Sequence, residues 1–274
     1  MQKETINVDL RGCDLSTNGE PRLSAAAAKL RPAKVRSAIR RRWFENQLAR
    51  IPLTGAGSPV HLGTDYGGWM VPAALIRPDW TCYSVGVGGD VSFDTELIRR
   101  FGVRVRAFEP VQMFVDDAAK EMELHPEFSV HRVAIAERDE PVRMQHTHHP
   151  GARAVSGAGL FDTHAWDTFP GRSLPSLMAE FGDERIDFLK MDTEGTEYEL
   201  LPSLDLPALG IMVLAVCLHH NRSVRQARNL IAYLASEGYE AAAMCPTIKT
   251  TFVHRAVLEN DRTAGAAGTA PTQS

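Results

Sequence analysis

The sequence predicts an α/β protein with a doubly wound, mostly parallel sheet, and three observations carry that reading. From Thr81 onward, apolar strand-like runs alternate with amphipathic helical segments, the order that builds parallel strands joined by crossover helices. Ile211–Leu218 is apolar throughout, as a strand covered on both faces must be. The first strand-like run leads directly into Gly86, Gly88 and Gly89, a turn suited to joining a strand to its helix.

Taken in order, residues 1–24 are polar and without period, and Ala25–Arg50 is rich in helix formers. A basic stripe there includes Lys34, Arg36, Arg40, Arg41 and Arg42 and reads as a solvated helix face. Thr54–Pro59 has linker composition, so residues 1–58 form a partly helical, basic N-terminal extension and 59–259 the α/β domain. Within it, strands are predicted at Thr81–Val87, Val103–Phe108, Ser129–Ala136, Ile186–Met191 and Ile211–Leu218. Helices fall at Phe93–Phe101, at Val111–Met122, whose apolar residues share one face, and at Val224–Gly238. Tyr239–Met244 and Thr250–Val257 can close the sheet as an antiparallel pair, and 260–274 has the composition of a disordered tail.

Composition removes several classes. No apolar run approaches the roughly 20 residues of a membrane span, and MQKETINVDL lacks the apolar centre of a signal peptide, so a cytoplasmic protein is expected. Cys13, Cys82, Cys217 and Cys245 lie far apart and read as reduced thiols rather than a disulfide or zinc framework. His146, His148 and His149 cluster, yet no carboxylate or cysteine joins them at ligand spacing, and no metal is expected. Residues 1–58 hold 11 Lys/Arg against 5 Asp/Glu, but the whole chain has a net charge of −4, the wrong balance for a dedicated nucleic-acid binder.

In a doubly wound sheet the ligand lies beyond the carboxyl ends of the strands. Gly86-Val87-Gly88-Gly89 occupies the first such turn, and Val103–Phe108 then ends in Glu109-Pro110. An acidic residue at that second tip can accept both ribose hydroxyls of an adenosine, while Pro110 starts the next helix. The third glycine of the dinucleotide pattern is missing, which favours a nucleoside cofactor smaller than NAD.

Three blocks resemble the FkbM-type methyltransferases, and particularly their methyltransferase-like branch: Leu62–Trp69, Tyr83–Asp94 and Asp187–Glu197. The last of these, Lys190-Met191-Asp192-Thr193-Glu194-Gly195-Thr196-Glu197, is similar to that family's K-x-D-x-E-G-x-E signature. The resemblance runs from about His61 to Val257 and implies a seven-stranded Rossmann-like sheet with S-adenosyl-L-methionine lying over the first two strands. It also raises Tyr66, Gly67, Gly68 and Trp69 as a segment folding over the methionine end of the cofactor, beside Ser84, Gly86, Val87, Gly88, Glu109, Pro110 and Asp192. The chain departs at Ser84, where many members are acidic, and at Cys217, where Glu often precedes the histidine.

Asp192, His219 and His220 end predicted strands and are the expected catalytic group, since a histidine of ordinary pKa can act as a base at neutral pH. Glu197 reads equally as a helix-start carboxylate or a site residue, and Arg153–Ser156 as a wall of the acceptor pocket. The expected activity is methylation of an oxygen on a small or natural-product acceptor. The alternatives are N-methylation of a peptide or sugar, and a nucleoside-binding module without catalysis.

Overall fold

A computed structural model describes residues 14–15, 21–22, 33–54, 56–146, 155–157, 165–219, 223–245 and 248–258. Its centre is a seven-stranded sheet made of β1 (Thr81–Val85), β2 (Arg104–Phe108), β3 (Phe128–His131), β4 (Phe188–Met191), β5 (Val213–Cys217), β6 (Tyr239–Met244) and β7 (Lys249–His254). The order across the sheet is β6-β7-β5-β4-β1-β2-β3. The strands from β3 to β5 pair in parallel, and β7 runs antiparallel to both β5 and β6. The chain thus winds outward from β1 to one edge, returns to β4 beside β1, and winds to the other edge. A crevice opens at that reversal, between the carboxyl ends of β1 and β4.

Alternation along the central strands sends side chains into two apolar layers. Tyr83, Val85, Leu189, Met191, Leu214 and Val216 pack on one face, and Cys82, Phe188, Val213, Ala215 and Cys217 on the other. Of the helices, α1 (Ala33–Leu48), α4 (Leu174–Phe181), α5 (Glu197–Leu200) and α6 (Val224–Ser236) cover the first face. The second is covered by α2 (Ser92–Phe101) and α3 (Gln112–Glu121), with the hairpin Val60–Leu62/Trp69–Val71. Phe44 and Leu48 of α1 are buried in the first layer, so the expected extension adds apolar side chains to the core of the sheet domain.

Capping fixes where the helices start and stop. Ser223 accepts from Gln226 N–H and Gln226 reaches back to Ser223 N–H, a capping box that begins α6. Gly102 ends α2 at φ 70°, a conformation that suits glycine. One expected strand divides: the chain leaves the sheet after His131, and Ala134–Ile135 pairs instead with Gly171–Arg172. No helix among the described residues is long and apolar enough to cross a membrane. The tail 260–274 lies outside the described residues.

Candidate active site

The crevice is built around Gly86. Its N–H donates to Phe108 O of β2 at 2.9 Å, and its carbonyl accepts from Lys190 Nζ of β4 at 2.9 Å. The residue has φ 73°, and a Cβ placed there would lie 1.9 Å from Asp192 O. Only glycine permits both the left-handed turn and this approach of two strand ends. Two residues on, Gly88 also has positive φ, and a Cβ there would meet nothing within 4 Å, so its backbone faces open space.

Glu109 sits beside that opening. Its Oε2 accepts from Gly88 N–H at 3.0 Å and its Oε1 from Val111 N–H at 2.9 Å. Burial pushes the carboxyl above its usual range, and these two N–H groups only partly offset the rise. Each oxygen keeps a second lone-pair direction, enough for one hydroxyl of a vicinal diol. A backbone cradle with φ > 0, open space above Gly88 and a fixed two-oxygen acceptor fit the ribose of a nucleoside.

The other residues expected to hold the cofactor divide between surface and core. Tyr66 is exposed, and its carbonyl and that of Gly68 accept from Lys249 Nζ at 2.7 and 3.3 Å. The loop carrying Tyr66, Gly67 and Gly68 is latched to the β1–α2 turn, because Thr64 Oγ1 donates to Asp90 Oδ2 and Asp90 Oδ1 accepts from Ser92 N–H. Gly68 is required there, since a Cβ would lie 2.3 Å from the Thr64 backbone O, and a Cβ at Gly67 would push the Asp90 carboxylate out of this latch. Trp69 is fully buried against Phe93 with ring centroids 6.4 Å apart, which turns its ring into the core. Ser84 is buried on β1 opposite Lys190, and Val87 and Pro110 are buried at either side of the turn.

Asp192 and His219, from the ends of β4 and β5, come together. His219 Nε2 lies 3.4 Å from Asp192 Oδ1 and 3.4 Å from Glu194 Oε2. On the other side of the ring, Nδ1 lies 2.8 Å from Glu197 Oε1 and 3.1 Å from Cys217 O. Both partners are acceptors, so Nδ1 carries a proton. Glu197 is completely buried and is held in turn by Gly195 N–H and the Thr193 hydroxyl, each donating to Oε2 at 2.9 Å. The carboxylate that sequence alone left between two roles is therefore the group that orients His219.

Burial alone would push the His219 imidazole down, but the Cys217 sulfur and the Glu197 carboxylate reverse this and leave it well above the ordinary range. Cys217 itself is pushed up to about 12, chiefly by burial, so at neutral pH its thiol is uncharged and Glu197 is the charge that acts. A ring that also keeps a proton on Nε2 donates and cannot serve as a free base.

Glu194 adopts φ 51°, rare for a residue with a side chain, and burial raises its carboxyl. Its carbonyl accepts from the Ser156 hydroxyl at 2.7 Å, which packs the described part of the expected acceptor wall onto this turn. Arg153 lies outside the described residues, as do His148, His149 and His220. His146 Nε2 instead pairs with Asp167 Oδ2 at 2.7 Å.

A model of the FkbM methyltransferase domain matches residues 85–241. A comparison with curated proteins finds no match. Among solved structures, the Methanococcus jannaschii fibrillarin pre-rRNA processing protein aligns with a TM-score of 0.40 at 8% identity, over 65% of this chain and 67% of that one. The O-methyltransferase from Bacillus cereus, in complex with S-adenosylhomocysteine, aligns with a TM-score of 0.36 at 13% identity, over 83% of this chain and 84% of that one. A SAM-dependent methyltransferase from Aquifex aeolicus gives 0.33 at 13% identity, over 65% and 81%. Likenesses this distant add nothing to the fold that the strand order itself defines.

Proposed function

The chain belongs to the FkbM methyltransferase family, with S-adenosyl-L-methionine as cofactor, and on that premise we propose that it methylates an oxygen of a small or natural-product acceptor. The observation that carries this reading is the meeting of Asp192 and His219 beside Gly86, at the tips of adjacent parallel strands. The cofactor, when bound, supplies an electrophilic methyl group on a sulfonium. On the β1–β2 side, Gly86, Gly88 and Glu109 bind and orient the nucleoside. On the β4–β5 side, Asp192 and His219 border the acceptor: the Asp192 carboxylate receives its hydroxyl proton, while the charged His219 ring, kept in place by Glu197, steadies the oxygen that loses it. Positioning accounts for much of the rate in such a transfer, and assisted proton loss adds to it.

The test is incubation with isotopically labelled S-adenosyl-L-methionine and a panel of hydroxylated and amino acceptors. O-methyl products are the expected result; label appearing only on nitrogen overturns the oxygen assignment. The nucleoside half is tested separately. Glu109→Ala should weaken S-adenosyl-L-homocysteine by about 1–3 kcal/mol in calorimetry, through loss of charge-assisted hydrogen bonds to the ribose. An unchanged dissociation constant in a folded variant removes Glu109 from the site.

A further inference from the structure

We propose that Asp192, Cys217 and His219 form a binding site for one divalent transition-metal ion of the zinc class. The proposal deepens the acceptor-side reading given above and rests on it for the ion's role, though not for its binding. One carboxylate oxygen, one sulfur and one ring nitrogen, drawn from the ends of two paired strands, all lie within 4.8 Å of one another.

The spacing suits ligands around one ion, although Cys217 Sγ and His219 Nε2 also stand within reach of a weak sulfur hydrogen bond. His219 Nε2 stands 3.4 Å from Asp192 Oδ1 and 3.7 Å from Cys217 Sγ. A charge-assisted hydrogen bond from nitrogen to carboxylate closes to about 2.7–2.9 Å. A tetrahedral ion with bonds of about 2.0–2.3 Å, however, has edges of roughly 3.3–3.8 Å between its ligand atoms. Both distances fall within that interval.

The surroundings of His219 complete the case. A metal-binding imidazole ordinarily donates its other N–H to a carboxylate or backbone carbonyl, which sets the tautomer and aims the ring. Here Nδ1 faces Glu197 Oε1 and Cys217 O, which leaves Nε2 as the ligand atom; on binding, the ion displaces the protons of Nε2 and of the Cys217 thiol to solvent. Sulfur and imidazole with one carboxylate suit zinc rather than magnesium or calcium, which prefer oxygen alone. Glu194 Oε2 also stands 3.4 Å from Nε2 but is not part of the three-atom cluster, and three protein ligands leave a fourth position open, the arrangement in which zinc binds and acidifies a hydroxyl. An acceptor hydroxyl bound there would release its proton to solvent and keep its electron pair for the methyl group.

The experiment uses the chelator-treated full chain titrated with Co2+ as a spectroscopic probe and with Zn2+ in competition with a chromogenic chelator. One equivalent of Co2+ should bind and give a thiolate-to-cobalt charge-transfer band in the near ultraviolet. Cys217→Ser should abolish the band, and Glu197→Gln should weaken zinc by about 10–100-fold, as expected for a group that orients a ligand. S-adenosyl-L-homocysteine affinity in Cys217→Ser, measured alongside, should match the unaltered chain and confirms folding should Glu197→Gln not fold. Absence of the band in the unaltered chain overturns the proposal, as does a band that survives in Cys217→Ser. Metal binding without O-methylation of any acceptor would leave this site standing and remove the proposed reaction instead.

Discussion

Gly86→Ala is expected to abolish cofactor binding. The first carbon added at this position falls 1.9 Å from Asp192 O, well inside any tolerable contact, and the atom it meets is backbone rather than a yielding side-chain tip. The backbone there has φ 73°, which adds strain of about 1–3 kcal/mol for a residue with a Cβ. Relief requires β1 and β4 to part at the crevice, and the bond from Lys190 Nζ to Gly86 O opens with them. Affinity for S-adenosyl-L-homocysteine should fall by at least about 100-fold, equivalent to some 2.7 kcal/mol. Calorimetry checks the affinity, and circular dichroism checks that the sheet persists. Binding retained within a few-fold of the original value in a folded protein would place the cofactor elsewhere.

The second large effect is expected on turnover. His219→Ala should lower methyl transfer by roughly 10²–10⁴-fold while S-adenosyl-L-homocysteine affinity stays near its original value. The ring contacts Asp192, Glu194 and Glu197 on the β4–β5 side, whereas Glu109 and Gly88 are bonded on the other side of Gly86. Cofactor affinity and turnover should therefore separate. Asp192→Asn is the companion variant: it nearly preserves shape and removes the charge, so a comparable loss identifies the carboxylate itself. A loss confined to KM would instead mean that His219 only orients the acceptor. The assay is the labelled methyl transfer described above, with the acceptor it identifies.

Much of the fold was legible because long elements carry a period. Tyr239–Met244 is a strand with the predicted bounds, and the helix expected at Phe93–Phe101 spans Ser92–Phe101. The apolar run Ile211–Leu218 contains β5, which is buried along its whole length. Three-residue strands such as Val60–Leu62 carry too little pattern to be recognised, and their hairpin went unpredicted. At the candidate site, the glycine turn and Glu109 are local features that spacing makes visible as candidates. The partnership of Glu197 with His219 spans 22 residues and exists only because β4 and β5 pair in register. Cys217 was visible in sequence as a departure from the family pattern; its approach to Asp192 required the sheet. Ligand spacing read along the chain finds metal sites held by a single turn or helix, not one divided between strand ends.

The bond between Lys190 and Gly86 joins residues 104 positions apart. A growing chain possesses the glycine turn and Glu109 long before β4 has been synthesised, yet at that stage it has only one wall of the crevice. Contacts of such high sequence separation form slowly, because loop-closure entropy must be overcome before they can stabilise anything. The central strand pair should thus be a late event in folding, and a nascent fragment ending before Phe188 should be blind to the cofactor. Ligand then stabilises only the finished chain, by mass action on the native state, and offers no help to its intermediates.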